Sequence, residues 1–195
     1  MKSDIVAADE ALKRLTEGNK RYVVGKFIRP HQTSVRRAEL IDGQHPFAIV
    51  LSCSDSRIPV ELVFDQGVGD LFVVRVAGNI ADDIALGSIE YAAAHLHVSL
   101  AIVMGHGNCG AVAATASGGE LEGHLPAIAN AIRPAVDKVK SHQGDLVNNA
   151  AKANAEMVAE RLKSSKPVLF ELVRAGKLTI VAAFYDIKSG KVEFI

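Results

Sequence analysis

Two apolar runs, Phe47-Ala48-Ile49-Val50-Leu51 and Leu100-Ala101-Ile102-Val103-Met104, each end in a polar cluster holding one of the chain's two cysteines. Short runs of this kind, rich in branched aliphatics and uninterrupted by polar residues, read as strands buried on both faces. Such strands belong to parallel sheets covered by helices, where ligands bind beyond the carboxyl ends of the strands. The clusters Cys53-Ser54-Asp55-Ser56-Arg57 and Gly105-His106-Gly107-Asn108-Cys109-Gly110 are therefore expected to share one edge of one sheet.

The remaining pattern supports this architecture. Residues 4–19 place Ala8, Leu12 and Leu15 on one helical face, with Ser3 as N-cap. This segment reads either as a surface helix on its own domain or as an arm reaching a second subunit. A second short helix carries Arg36 and Arg37 as a solvated face and closes at Gly43. The first strand, 47–53, leads into a short helix after Pro59, since proline suits a helix start. A strand over Asp70–Val76 follows, then a turn at Ala77-Gly78-Asn79 and a helix from Asp82 to about Leu96. Asp82 and Asp83 complement the dipole at that helix's N-terminus. The strand 100–104 comes next, with a helix beginning at Cys109.

Residues 124–175 are helical in pattern, interrupted by Pro126, Pro134, Gly144 and Pro167. A strand over 178–184 and a turn at Lys188–Lys191 lead to a last strand, Val192–Ile195, antiparallel at the sheet edge. Strands alternating with helices predict an α/β fold. Its central sheet is mostly parallel, with four strands plus an antiparallel edge strand, flanked by helices and preceded by an N-terminal helical arm. No repeat, low-complexity tract or linker divides the chain. The expected organisation is one domain over 1–195, with 1–43 as the arm and 44–195 as the α/β core.

Cys53, His106 and Cys109 form a Cys₂His set, with His106 three residues before Cys109 so that one loop can present both. Closed structural zinc sites usually use four protein ligands, whereas catalytic ones keep a position open. Mixed thiolate and imidazole donors suit zinc, one ion per chain. The spacing Cys-x₃-Arg is too short for the Cys-x₅-Arg loop of thiol phosphatases, and no Gly-x₄-Gly-Lys-Ser/Thr nucleotide loop is present. Lys plus Arg and Asp plus Glu are both 22, so the balanced charge gives no reason to expect a nucleic-acid or membrane partner and favours self-association. Two cysteines cannot build a disulfide framework, which points to a reducing, cytoplasmic setting.

The motifs Cys-Ser-Asp-Ser-Arg at 53–57 and Gly-His-x-x-Cys-Gly at 105–110 resemble those of the β-class carbonic anhydrases. The resemblance runs from about Gln44 through Gly110 and includes Phe72-Val73-Val74-Arg75, Gly78-Asn79 and Ser88-Ile89-Glu90-Tyr91. It implies reversible hydration of CO₂ to bicarbonate, with zinc on Cys53, His106 and Cys109 and water at the fourth position. Asp55 would orient the nucleophile, and Arg57 would keep Asp55 from swinging onto the metal. Gln44, Phe72, Tyr91 and Gly110 would contact substrate, with Phe72 and Tyr91 reaching the pocket from a partner subunit, and the assembly would be a homodimer or a dimer of dimers. His95 and His97 would sit on different faces of a helix, so that at most one could relay protons.

Gly107 departs from the family, which has serine or threonine there. One subgroup that closes at low pH carries a tryptophan three residues before the first ligand. This chain has Val50 there and no tryptophan, and Gln44 matches the plant-like, open-site subgroup. Two alternatives remain open at this point: a hydrolase of a related small substrate such as COS or CS₂, and a zinc protein without activity.

Overall fold

A computed structural model of the chain describes residues 5–195. The described residues form five strands: β1 (Ala48–Ser52), β2 (Leu71–Arg75), β3 (Leu100–His106), β4 (Thr179–Tyr185) and β5 (Val192–Phe194). Eight α-helices surround them: α1 (Ala8–Val23), α2 (Ser34–Glu39), α3 (Val60–Val63), α4 (Asp83–Ala94), α5 (Gly110–Ser117), α6 (Leu125–Val139), α7 (Leu146–Ser164) and α8 (Val168–Arg174). The sheet order is β2-β1-β3-β4-β5, parallel except for the β4–β5 pair. This is the architecture expected from the sequence.

Alternation along the central strands divides the core into two layers. Ala48 and Val50 face one layer with Leu100, Ile102 and Met104, and α1, α3 and α6 cover it. Ile49 and Leu51 face the other with Ala101 and Val103, under α4, α8 and the second half of α7. β1 and β3 are buried throughout, which is why their sequences show no polar alternation.

The order has a consequence for function. From β1 the chain crosses to β2 on one side, then returns past β1 to place β3 on the other. The strand order reverses between β1 and β3, and a crevice opens there beyond their carboxyl ends. Ser52 pairs with Met104, so the residues just after β1 and at the end of β3 emerge at the same level.

Several boundaries differ from expectation. β3 continues to His106, because β4 pairs with it as far as Tyr185, so His106 ends a strand and does not sit in the following loop. Pro134 lies inside α6 and does not interrupt it. An internal proline removes one backbone bond, but burial of Ile132, Ala135 and Val136 on either side holds the helix together. The first helix runs from Ala8 to Val23 and not over 4–19, while Ser3 and Asp4 lie outside the described residues. Ala7 occupies the N-cap position and makes no side-chain cap bond. Beyond Val24, Gly25 turns the chain at a φ of 68°.

α1 packs on the core of its own chain. Ala11 and Leu15 are fully buried. Asn19, 5% exposed, donates from Nδ2 to the carbonyls of Val63 (3.1 Å) and Gly190 (2.9 Å) and accepts from the Val192 N–H (2.9 Å). One amide thus fastens α1 to α3 and to the start of β5. Replacing Asn19 with alanine strands three polar groups and should cost about 2–3 kcal/mol. The expected reading is a lower urea midpoint with an unchanged slope; an unchanged midpoint would mean that this amide does not hold the helix.

Candidate metal centre and active site

Cys53 leaves the carboxyl end of β1 and is 5% exposed. His106, at the end of β3, is fully buried. A two-residue turn, Gly107-Asn108, then carries the chain to Cys109 at the N-cap of α5, also fully buried. The two sulfurs and an imidazole nitrogen all lie within 4.8 Å of one another. Ligand atoms around a tetrahedral zinc ion stand about 3.6–3.8 Å apart, given metal–ligand bonds of about 2.0–2.3 Å.

The imidazole is prepared for such an ion. His106 Nδ1 lies 2.9 Å from the Gly107 carbonyl, which can only accept, so the proton sits on Nδ1. Nε2 is then left with its lone pair, buried and without a hydrogen-bond partner among the described residues. An uncompensated buried nitrogen between two thiols is costly unless a cation takes it. The three side chains fit a metal ion as a group.

Charge within the set is also prearranged. The Cys109 thiol donates to Cys53 and holds the Cys53 thiol well below its usual range, and the Gly78 N–H acts in the same sense against burial. Cys109 itself is pushed up, first by its bond to Cys53 and then by burial. The N–H groups of Val112 and Ala111 in the first turn of α5 oppose that rise, although neither closes a full cap bond.

Asp55 and Arg57 sit at the rim of this cluster. Asp55 Oδ1 accepts from the Arg57 backbone N–H and from its Nε, each at 2.9 Å, and Oδ2 accepts from Nη2 at 2.6 Å. Oδ2 is also 3.9 Å from His106 Nε2, so the carboxylate borders the metal position while both of its oxygens are engaged by arginine. The guanidinium bonds, first among the causes, hold the Asp55 carboxyl at about 2 against partial burial. Arg57 Nη2 also reaches the Asn108 carbonyl at 3.2 Å, which ties the first loop to the second.

Three contributors were not singled out in the sequence. Arg75, at the end of β2, donates to the carbonyls of Cys53 (3.2 Å) and Asp55 (2.7 Å) and fixes the path of the first loop. Asn148, in the first turn of α7, accepts the Asn108 N–H at 3.0 Å and fixes the second. The Gly78 N–H meets Cys53 Sγ at 3.2 Å. Arg75 and Gly78 lie in the matched stretch of sequence, but nothing in their spacing shows that they serve the Cys53 loop. Gly107 leaves room beside the site: a Cβ there would stand 3.5 Å from Asn148 Oδ1 and 3.7 Å from Phe184 Cζ, ordinary contacts.

The other sequence candidates are distributed differently. Gly110 is exposed beside Cys109 at the first turn of α5. Gln44 is exposed and precedes β1, at the opposite end of that strand from Cys53. Phe72 is level with Ile49 in the register, four residues short of Cys53, and its ring meets Tyr91 with centroids 6.3 Å apart. A single chain therefore does not bring Gln44, Phe72 and Tyr91 to its own metal cluster. α4 ends at Ala94, so His95 is its C-cap and His97 lies beyond it at a φ of 57°. The two histidines do not share a helix as expected.

The Asp55 titration tests the arginine contact. Its folded pKa is depressed, so the stabilisation it brings is complete above about pH 4 and is lost as pH falls toward 2. In Arg57→Gln, the carboxyl ¹³C resonance of Asp55 should titrate near the ordinary 3.8. A midpoint still near 2 in that variant would show that arginine is not the cause.

A profile of the carbonic anhydrase family matches residues 48–192, from the first residue of β1 to the first of β5. A carbonic anhydrase of Mycolicibacterium smegmatis is 38% identical over 196 aligned positions, covering 98% of this chain and 93% of the relative. Among solved structures, a tetrameric β-carbonic anhydrase of Sordaria macrospora superimposes with a TM-score of 0.76 at 28% identity, covering 82% of this chain and 85% of the other. A β-carbonic anhydrase of Aspergillus fumigatus gives 0.71 at 27% identity, with 94% and 90% coverage. Near-complete alignment with an enzyme sharing over a third of its residues, and a common chain path with solved β-class structures, place this chain in the β class of the carbonic anhydrase family.

Proposed function

We propose that this protein catalyses the reversible hydration of CO₂ to bicarbonate and a proton at a single zinc ion held by Cys53, His106 and Cys109. The observation that carries this reading is the buried Cys-His-Cys set, with its orphaned His106 Nε2, beside a carboxylate already engaged by arginine. Bound there, Zn²⁺ supplies a water acidified enough to ionise near neutral pH and a positive charge to meet developing bicarbonate.

The chain's own residues do the rest. Asp55, ionised at any working pH, accepts a hydrogen bond from the nucleophile and so directs its lone pair away from the carboxylate and toward CO₂. Arg57 holds both Asp55 oxygens in a fork and keeps that carboxylate off the metal, which is the open-site arrangement. Gly110, exposed at the start of α5, lets substrate approach closely, since a Cβ there would meet nothing within 4 Å. This arrangement argues against an inactive zinc protein, in which Asp55 would occupy the metal itself.

The pocket is completed by a second copy. Gln44, Phe72 and Tyr91 lie toward the amino ends of β1 and β2, and β2 is a free edge of the sheet. A two-fold pairing about that edge sets the amino end of one sheet beside the carboxyl end of its partner's. The exposed side chains of Tyr91 and Ile84 fit such a contact. The working unit is thus one carbonic anhydrase domain over 1–195, with 1–43 as its helical arm, in a homodimer or a dimer of dimers. No described helix is long and apolar enough to cross a membrane. Both cysteines are free thiols, which the reducing cytoplasm preserves.

Stopped-flow CO₂ hydration alongside metal analysis tests the core of the reading. Cys109→Ser should lose most zinc and activity together; stoichiometric zinc with normal turnover would overturn the ligand set. Asp55→Ala should keep its zinc and lose roughly 10²–10⁴-fold in turnover, as removal of a positioned proton-handling group does. Wild-type turnover would refute the orienting role. Two thiolates donate more strongly than neutral imidazoles, so activity should rise on the alkaline side of the ~7 typical of a three-histidine site, in one smooth step. A cooperative collapse of activity in bicarbonate at low pH would instead mark a closing site.

A further inference from the structure

Asn154 lies on the buried face of α7 among Ala150, Ala151, Ala155 and Val158 and is fully inaccessible to solvent. It is the only polar residue in that apolar row, and it is half used. Nδ2 donates to the Gly78 carbonyl at 2.8 Å, while Oδ1 is buried with no hydrogen-bond partner among the described residues. A leucine of similar size would fill the space without an orphaned oxygen, so packing gives no reason for an amide here. The one bond it makes is the reason to look further.

That bond acts on the residue that touches the metal ligand. The Gly78 N–H points at Cys53 Sγ, 3.2 Å away, and its carbonyl, on the other side of the same Cα, is the group Asn154 holds. Gly78 adopts a φ of 69°, and a Cβ there would come within 2.5 Å of Ile132 Cδ1. Glycine is therefore required, and glycine alone does not fix the two peptide planes that meet at it. Ile132 blocks one side, and Asn154 holds the carbonyl plane from the other. The turn has two holds on that plane: the Asn79 N–H donates to the Val76 carbonyl at 2.8 Å, and the Asn154 side chain, 76 residues away, takes the Gly78 oxygen.

We propose that Asn154 is a positioning residue of the metal centre, which through Gly78 holds an N–H donor on Cys53 and so limits the charge that this thiolate gives to the ion. An N–H bonded to a ligating sulfur withdraws electron density from it, as outer contacts do in other metal sites. Without Asn154 the Gly78 carbonyl plane is held only by the Asn79 N–H on the Val76 carbonyl (2.8 Å), the N–H on sulfur is less firmly aimed, and Cys53 becomes more electron-rich. The inference rests on the metal-site reading proposed above.

Cobalt substitution reads the sulfur directly. In the Co²⁺-loaded protein the thiolate-to-metal charge-transfer band should move to longer wavelength in both Asn154→Leu and Asn154→Ala, since a richer sulfur gives up an electron more easily. Ala159→Gly, on the same helix five residues further along, should weaken the fold without moving the band. Bands at the wild-type wavelength in both Asn154 variants would overturn the assignment and leave the metal reading standing. Absence of any thiolate band in the cobalt-loaded parent protein would instead overturn the metal reading itself. Hydrogen exchange of the Gly78 amide in the unmodified zinc enzyme gives a test that needs no variant. Exchange only with global opening is expected, and exchange at the rate of an exposed loop would refute the bond to Cys53.

Discussion

The parallel register between β1 and β3 is the constraint on which the rest of the site depends. Ser52 stands opposite Met104, so Cys53 and His106 leave the sheet at nearly the same level on either side of the crevice. Side chains alternate along a strand, and a slip of one residue by either strand would turn its ligand away from the other's face. The slip is prevented by burial: β1 and β3 are apolar on both faces, and each face already has its own set of partners. The hydrophobic core thereby fixes the geometry of polar groups that contribute nothing to it. Gly105 is part of the same arrangement, since a Cβ there would stand 2.7 Å from the Ala151 carbonyl and push α7 away from β3 just before the histidine.

Once the strand ends are fixed, the two loops still need support, and arginine supplies most of it. Arg75 takes the carbonyls of Cys53 and Asp55, and Arg57 takes the Asp55 carboxylate and the Asn108 carbonyl. Each guanidinium presents several donors in a rigid fork, so one residue restrains two points of a loop at once. α7 complements them from beneath, with Asn148 on the second loop and Asn154 on the Gly78 turn. Gly78, Asn79 and Asn108, beside the ligands, all have positive φ. Asparagine tolerates that region better than most residues, and external hydrogen bonds hold what the local sequence would not.

The sheet was legible in the sequence because β1 and β3 are unbroken apolar runs, and the ligand set because only two cysteines exist and each follows such a run. What the sequence could not show depended on distant partners. His106 reads as a loop residue until β4 is seen to pair with it as far as Tyr185. Pro134 reads as a break until the burial of its neighbours in α6 is known. Gln44, Phe72 and Tyr91 could be matched to a function by resemblance, yet register places them at the far end of the sheet from Cys53. Arg75 and Asn154 carry no local signal of their roles, although a lone amide in the alanine-rich row of α7 was a visible irregularity.

The competition for Asp55 follows from the charges of the same groups. On the zinc reading, two thiolates cancel the dication, so a nearby carboxylate sees a metal with little net charge. Arg57 offers a full positive charge, a bidentate fork and a backbone N–H, with donor distances of 2.6–2.9 Å. His106 Nε2, 3.9 Å from Oδ2, marks how short the move onto the metal would be, so distance is not what prevents it. The hold of Arg57 on both carboxylate oxygens does. A site built from three neutral histidines would leave the dication uncompensated and draw the carboxylate inward. On that reading the two cysteines would do more than bind: they would offset the charge of the ion and so weaken its pull on an Asp55 that Arg57 already holds.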